Sequence, residues 1–171
     1  MPRPLLTALA AAAVLAADQC TKRAARARLA PDAPQALLGE WIRLRRVENP
    51  GIAFGLLHRQ PRLAALATAL APAMLLFLTR RVSSPAGVVG GGLVAGGWAS
   101  NALDRARQGT VTDFLDLGLG RWRWPAFNLA DAAIVLGVAL LARGLTSGSP
   151  PRSSAPGHDA LARPGAGLTG R

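Results

Sequence analysis

Four apolar stretches, at residues 4–17, 63–79, 86–103 and 126–141, leave this chain few ways to fold. Each is about 14 to 18 residues long and none shows a polar face. A membrane-spanning helix needs about 20 residues, with about 17 as a lower limit. Each stretch reaches that length only by taking in polar residues at its ends. The pattern predicts a mainly α, polytopic membrane protein with four transmembrane helices whose ends carry functional groups. A soluble bundle of buried helices is the alternative, and the missing polar faces argue against it. The first stretch also has the look of a signal peptide, with Arg3, a Leu/Ala run and small residues before "DQC". Because "DQCTK" reads as part of the working protein, we take the stretch as retained.

The charge supports this reading. Twenty Lys and Arg against nine Asp and Glu give +11 over 171 residues. Such a balance can mark a nucleic-acid binder, but here the basic residues flank the apolar blocks instead of gathering on one face, as in a membrane protein. No nucleic acid is therefore expected as a partner. The single cysteine, Cys20, excludes an intrachain disulfide and a thiolate metal cluster. His58 and His158 lie a hundred residues apart and do not suggest a metal site. Of Trp41, Trp98, Trp122 and Trp124, three stand beside an apolar block, where interfacial aromatics belong.

Residues 1–145 are expected to form one transmembrane domain with a small β-sheet in the loop between helices one and two, about residues 21–62. There "GEWIRLRRVE" partly alternates Trp41, Ile42, Leu44 and Val47 with arginines, a half-buried strand pattern. "NPG" at 49–51 marks a turn, and 80–87 a short connection between helices two and three. Residues 146–171 are rich in Pro, Gly and Ser and are expected to be disordered.

With four spans, helix one ends, helix three ends and helix four begins on one side of the membrane. Asp18, Asp104 and Asp131 then collect at one face. "NALD" (101–104) and "NLAD" (128–131) each place Asn and Asp at i and i+3, neighbours on a helix face. Asp131 lies about five residues, roughly 8 Å, inside its helix. An acid at that depth marks a functional site by default. The structural alternatives are an ion pair of Asp104 with Arg105 and a helix-start acid at Asp131. Two close carboxylates in a low dielectric share one proton. The ionised member takes a proton from water and the protonated one polarises a carbonyl, which is amide hydrolysis without metal or covalent intermediate. No Ser–His or Cys–His set competes.

Four stretches in order, "DQCTK" (18–22), "VENPGIAFGLL" (47–57), "SNALDRARQGTVTDFLDL" (100–117) and "WPAFNLADAAIVLG" (124–137), resemble the lipoprotein signal peptidases, or signal peptidase II, bacterial aspartic membrane endopeptidases. The resemblance covers about residues 15–141. It implies that Asp104 and Asp131 form the catalytic dyad and that Asn101, Asn128 and Ala130 surround them. It gives Asp18 a supporting role and assigns Asn49 and Gly51 to a surface motif that helps hold substrate. Arg105, Asp113 and Asp116 also fall on family positions, where salt bridges and turn formation are the plain alternative. Ser100 replaces the family's usual Gly, and Ile52 interrupts its commoner Asn-x-Gly-Ala-Ala-Phe-Gly pattern.

The resemblance further implies cleavage of diacylglyceryl-modified prolipoproteins on the amino side of the lipidated cysteine, without a cofactor. It implies a monomer in contact with membrane lipids, in the bacterial cytoplasmic (inner) membrane, with its active site towards the outer face. The charges point the other way: nine Lys and Arg fall in the first outer loop and four in the second, against seven on the cytoplasmic side. The positive-inside rule alone would invert the chain. Two rival readings remain, a membrane scaffold whose acids only pair with arginine and a basic soluble nucleic-acid binder.

Overall fold

The structure is a computed structural model that describes residues 1–31, 33–50, 77, 82 and 84–146. The elements run α1 (Arg3–Arg28), β1 (Gln35–Leu38), β2 (Ile42–Asn49), α2 (Pro85–Gln108), β3 (Val111–Leu119), β4 (Trp122–Arg123) and α3 (Leu129–Thr146). The expectation of four transmembrane helices needs correction. Among the described residues there are three helices, and two of them, α1 and α3, are long and apolar enough to cross a membrane. Apart from Phe77, the expected helix at 63–79 lies outside the described residues, as do Gly51 and the tail beyond Thr146.

α2 has the length but a different composition. Six of its residues are glycines, which bring no side chain to bury in lipid. They serve close packing instead. A Cβ on Gly92 would stand 2.6 Å from the Thr7 carbonyl oxygen of α1. On the other side, one on Gly90 would lie 2.7 Å from the Gly137 oxygen, and one on Gly97 2.6 Å from the Ala130 oxygen, both in α3. α2 is thus the middle helix, with backbones meeting through small residues as membrane helices do. It opens at Ser84, whose hydroxyl accepts from Gly87 N at 3.2 Å, with Pro85 in the first turn. It stops at Gly109, whose φ of 76° is the left-handed C-cap conformation.

α1 continues past residue 17 to Arg28. "TKRAARAR" is made of helix-favouring Ala, Lys and Arg, and Lys22 and Ala25 are buried against the rest of the protein. The expected sheet is present and is larger than the first loop could make. Four antiparallel strands run in the order β1-β2-β3-β4. The second pair comes from the loop between α2 and α3, where turn formation is the plain alternative for Asp113 and Asp116. Ala25 and Leu29 at the end of α1 cluster with Phe114, and Leu44 and Leu115 of the sheet pack against them. The sheet is thereby fixed at the shared end of the helices.

Candidate active site

The site lies where α1 and α2 end and α3 begins. Asn128 precedes α3 and caps it: its Oδ1 accepts from Asp131 N at 3.0 Å, while Asp131 Oδ2 accepts from Asn128 N at 3.3 Å. This reciprocal pair is a capping box, so "NLAD" folds the helix start and holds the carboxylate in one place. The other oxygen of Asp131 accepts from Asn101 Nδ2 of α2 at 2.9 Å. Asn101 Oδ1 in turn accepts from Asn128 Nδ2 at 3.3 Å and from Lys22 Nζ at 2.7 Å.

Asn128 also donates to a second acid, Asp113 of β3, at 2.7 Å. The remaining Asp113 oxygen accepts from Asn49 Nδ2, at the end of β2, at 2.9 Å. Burial pushes the Asp113 carboxyl up to about 7. The Asn49 hydrogen bond opposes the shift, the negative charge of Asp131 adds to it, and Asn128 and Lys22 oppose it further. The Asp113 and Asp131 carboxylates are therefore both bonded by Asn128, one by its side chain and one by its main-chain N–H; they feel each other's charge, and among the described residues neither makes an ion pair.

Asp104 has a different setting. Its Oδ2 lies 3.0 Å from Lys22 Nζ, which also contacts Asp18 Oδ2 at 2.7 Å; all three side chains are buried. Gln19 Nε2 donates to Asp104 Oδ1 at 2.9 Å, Thr112 N donates to Oδ2 at 3.4 Å, and Arg26 stands 3.9 Å away. Asp18 accepts from Ser100 Oγ at 2.6 Å and, with its other oxygen, from Ala130 N in the first turn of α3 at 2.8 Å. Two carboxylates here face two cations. The acid expected to partner Asp131 is instead ion-paired, and the Lys22–Asn101 bridge stands between them.

The three acids expected at one face do gather there, with Asn101, Asn128, Ala130 and Asn49. Arg105 lies near enough for the charges of Asp131, Asp113 and Asp104 to act on it. Asp116 is apart from this group and binds Arg123 at 2.8 Å. Lys22 and Gln19 carried no role in the sequence reading. The signal for Lys22 was available: Asp18 and Lys22 stand at i and i+4, ion-pair spacing on a helix, and a buried cation demands more than one oxygen.

Residues 10–146 match the family model described as Signal peptidase (SPase) II. A lipoprotein signal peptidase of Chlorobium phaeobacteroides (strain BS1) is 36% identical over 144 residues, 78% of this chain and 91% of that one. One of Moorella thermoacetica (strain ATCC 39073 / JCM 9320) is 39% identical over 143 residues, 82% and 90% of the two chains. Among solved structures, a bacterial membrane enzyme determined in meso at 2.3 Å superposes with a TM-score of 0.72 at 24% identity, over 82% of this chain and 87% of the other. A second, at 1.9 Å, gives 0.70 at 23% identity, over 84% and 94%. At those identities the two structures speak for the fold.

Proposed function

Since the chain belongs to the signal peptidase II family, we propose that its hydrolytic dyad is Asp113 with Asp131. The protein is a multi-pass inner-membrane aspartic endopeptidase, a metal-independent hydrolase that removes signal peptides from lipidated prolipoproteins. The observation that carries the dyad is Asn128, whose side chain donates to the Asp113 carboxylate and whose main-chain N–H donates to that of Asp131; neither acid has a compensating cation in hydrogen-bond contact among the described residues. Two such carboxylates hold one proton between them and titrate as a unit. The ionised member removes a proton from water as it attacks the scissile carbonyl. The protonated member donates to the carbonyl oxygen, and a proton then passes to the leaving amine as the C–N bond breaks. Asn101 and Asn128 orient Asp131, while Asn49 and Asn128 orient Asp113. Arg105 supplies positive charge beside the negative charge that develops.

On this reading Asp104, Asp18 and Lys22 form the frame on which the dyad is mounted. The bond cut is the one on the amino side of the diacylglyceryl-modified cysteine, held at membrane depth by its acyl chains, and one chain suffices. We place the dyad at the outer face, and the ion pairs bear on the charge conflict noted above. Lys22, Arg26, Arg43, Arg46 and Arg123 all pair with acids on that side. The positive-inside rule counts short loops near the spans, and the folded sheet with its internal ion pairs is a poorer subject for it.

The test is cleavage of a diacylglyceryl-modified prolipoprotein by purified protein in detergent, with EDTA present. Asp113→Asn and Asp131→Asn are expected to fold and not cut. Folded Asp104→Asn is expected to cut. Full turnover by Asp113→Asn would remove Asp113 from the dyad.

A further inference from the structure

The proposed hydrolysis gives no part to Ser100, a buried polar residue inside α2. It follows Gly92 and Gly96 at intervals of four, on the side of α2 that meets α1. A Cβ on Gly92 would crowd the Thr7 carbonyl oxygen, and one on Gly96 that of Ala11. Where this stripe reaches the level of Asp18, a side chain replaces the bare backbone. A serine inside a helix commonly bonds back to the carbonyl four residues earlier. Ser100 instead sends its single proton across the seam to Asp18 Oδ2, at 2.6 Å. Its oxygen accepts from Gln19 Nε2 at 2.9 Å. Both sides of the hydroxyl are thus taken up by α1.

Asp18 carries the contact onward. Its other oxygen, Oδ1, accepts from Ala130 N at 2.8 Å. Ala130 is the second residue of α3, and the first N–H groups of a helix have no partner within it. A carboxylate suits that place, at the positive end of the helix dipole. The next residue is Asp131. The Asp18 carboxylate therefore stands on α1 with one oxygen towards α2 and one on α3. Lys22 also meets Oδ2, at 2.7 Å, but from one turn further along α1 itself and at the tip of a long side chain. The terminal torsion of an aspartate is broad and soft. Held at Oδ2 by a lysine that follows it, the carboxylate could turn and carry Oδ1 off the Ala130 N–H. A short side chain on a neighbouring helix prevents that turn.

We propose that Ser100 is a positioning residue of the reaction: its hydroxyl locks the Asp18 carboxylate, which fixes the first turn of α3 and with it Asp131. Asp131 is then held twice, by Asn101 and Asn128 at its own oxygens and by Asp18 at the N–H just before it. The lock acts on where the carboxylate stands relative to the scissile bond. Ser100 itself is 0% exposed and its side-chain bonds run to α1, so it does not touch substrate. Losing the hydroxyl should therefore slow the chemical step and leave substrate binding as it was. This inference rests on Asp131 belonging to the dyad.

The full-length protein, Ser100→Ala and Ser100→Gly are purified in detergent and compared on a diacylglyceryl-modified prolipoprotein. Deuterium uptake is followed in parallel over residues 126–133, the start of α3. Ser100→Ala removes the hydroxyl and keeps the Cβ. Ser100→Gly continues the glycine stripe and serves if the alanine variant does not fold. The expected result is a roughly tenfold lower kcat, as a small misplacement of a reacting group can cause, with KM unchanged. Exchange in the first turn of α3 should rise severalfold while the rest of α3 keeps its protection. Unaltered exchange in that turn would overturn the lock, and so would an unchanged kcat. Faster exchange throughout the helices, or a rise in KM that accounts for the loss, would mean that Ser100 only packs the seam, and would overturn it equally. Asp131→Asn is assayed beside them. Full turnover by that variant would sink the dyad reading, and exchange at the start of α3 in the Ser100 variants would still decide whether the lock exists.

Discussion

Two pairs of acids are linked through Asn101, one by way of Lys22 and the other through Asp131 and Asn128, and they are built on opposite principles. Asp18 and Asp104 are met by Lys22 and Arg26, and their remaining lone pairs are taken by Gln19, Ser100, Ala130 N and Thr112 N. The carboxylates of Asp113 and Asp131 are met by the side-chain amides of Asn49, Asn101 and Asn128 and by the Asn128 main-chain N–H. An amide fixes a carboxylate in space without neutralising it. The first pair therefore has its charge met by cations, and on the proposed reading it holds structure together. On that reading the second pair holds one shared proton that is available for transfer.

The comparison breaks most directly at its acids. Asp113→Asn or Asp131→Asn should lower turnover by about 10³-fold or more, at the upper end of what a positioned acid or base contributes, while the helical content by circular dichroism stays the same. Lys22→Met should act on the other quantity. It strands two buried carboxylates, and breaking a buried pair costs about 3–5 kcal/mol, read as a fall in unfolding midpoint. Asp104→Asn leaves Lys22 with Asp18 and should lie at the low end of that range. Were Asp104→Asn to fold as well as wild type and lose all turnover, the two pairs would have to exchange roles.

A finer test uses pH. The Asp113 carboxyl, at about 7 in the folded chain, lies above its unfolded value of about 3.9. Its contribution to stability is complete below about pH 4 and is lost as pH rises through about 7. Asp113→Asn should therefore flatten the fall of Tm between those values and leave the inactive protein at least as stable as wild type at pH 8. Asn49→Ala removes the donor that opposes the shift, so the alkaline-side limb associated with the protonated acid should move upward, with roughly tenfold slower turnover at neutral pH. The smallest effect belongs to the rim. Arg43 meets Glu40 at 3.3 Å, with the Glu40 side chain 76% exposed, and Arg43→Ala should change stability by no more than about 1 kcal/mol.

Much of this site was legible in the sequence, because the motifs name residues that the fold does bring together. The matched spacing of "NALD" and "NLAD" does not carry over to matched surroundings. Identical separations in sequence meet different surroundings: Asn128 and Asp131 flank a helix start and bond to each other's backbone, whereas Asn101 and Asp104 sit inside α2 and, among the described residues, are joined only through Lys22. Periodicity cannot distinguish the two, since it says which residues share a face and nothing of what that face meets. Asp113 stood in the sequence as a family position, but its place beside Asp131 was not legible. The acids of "VTDFLDL" look solvent-directed until β2 is laid beside β3, and that pairing crosses more than sixty positions. The glycines of α2 likewise weaken a hydropathy signal while strengthening the packing that signal is meant to detect.

Those glycines have a consequence for how such an enzyme copes with a changing bilayer. Gly97 sets the first turn of α3 against α2 through main-chain atoms, so the height of Asp131 is indexed on a part of the protein that mutation of ordinary side chains does not reach. The outward sides of α1 and α3, where Leu5, Leu9, Val135, Leu136 and Val138 are exposed, touch neither the index nor the acids. They are free to drift with the thickness and fluidity of the host membrane, generation by generation, while the cutting depth remains where the backbone put it.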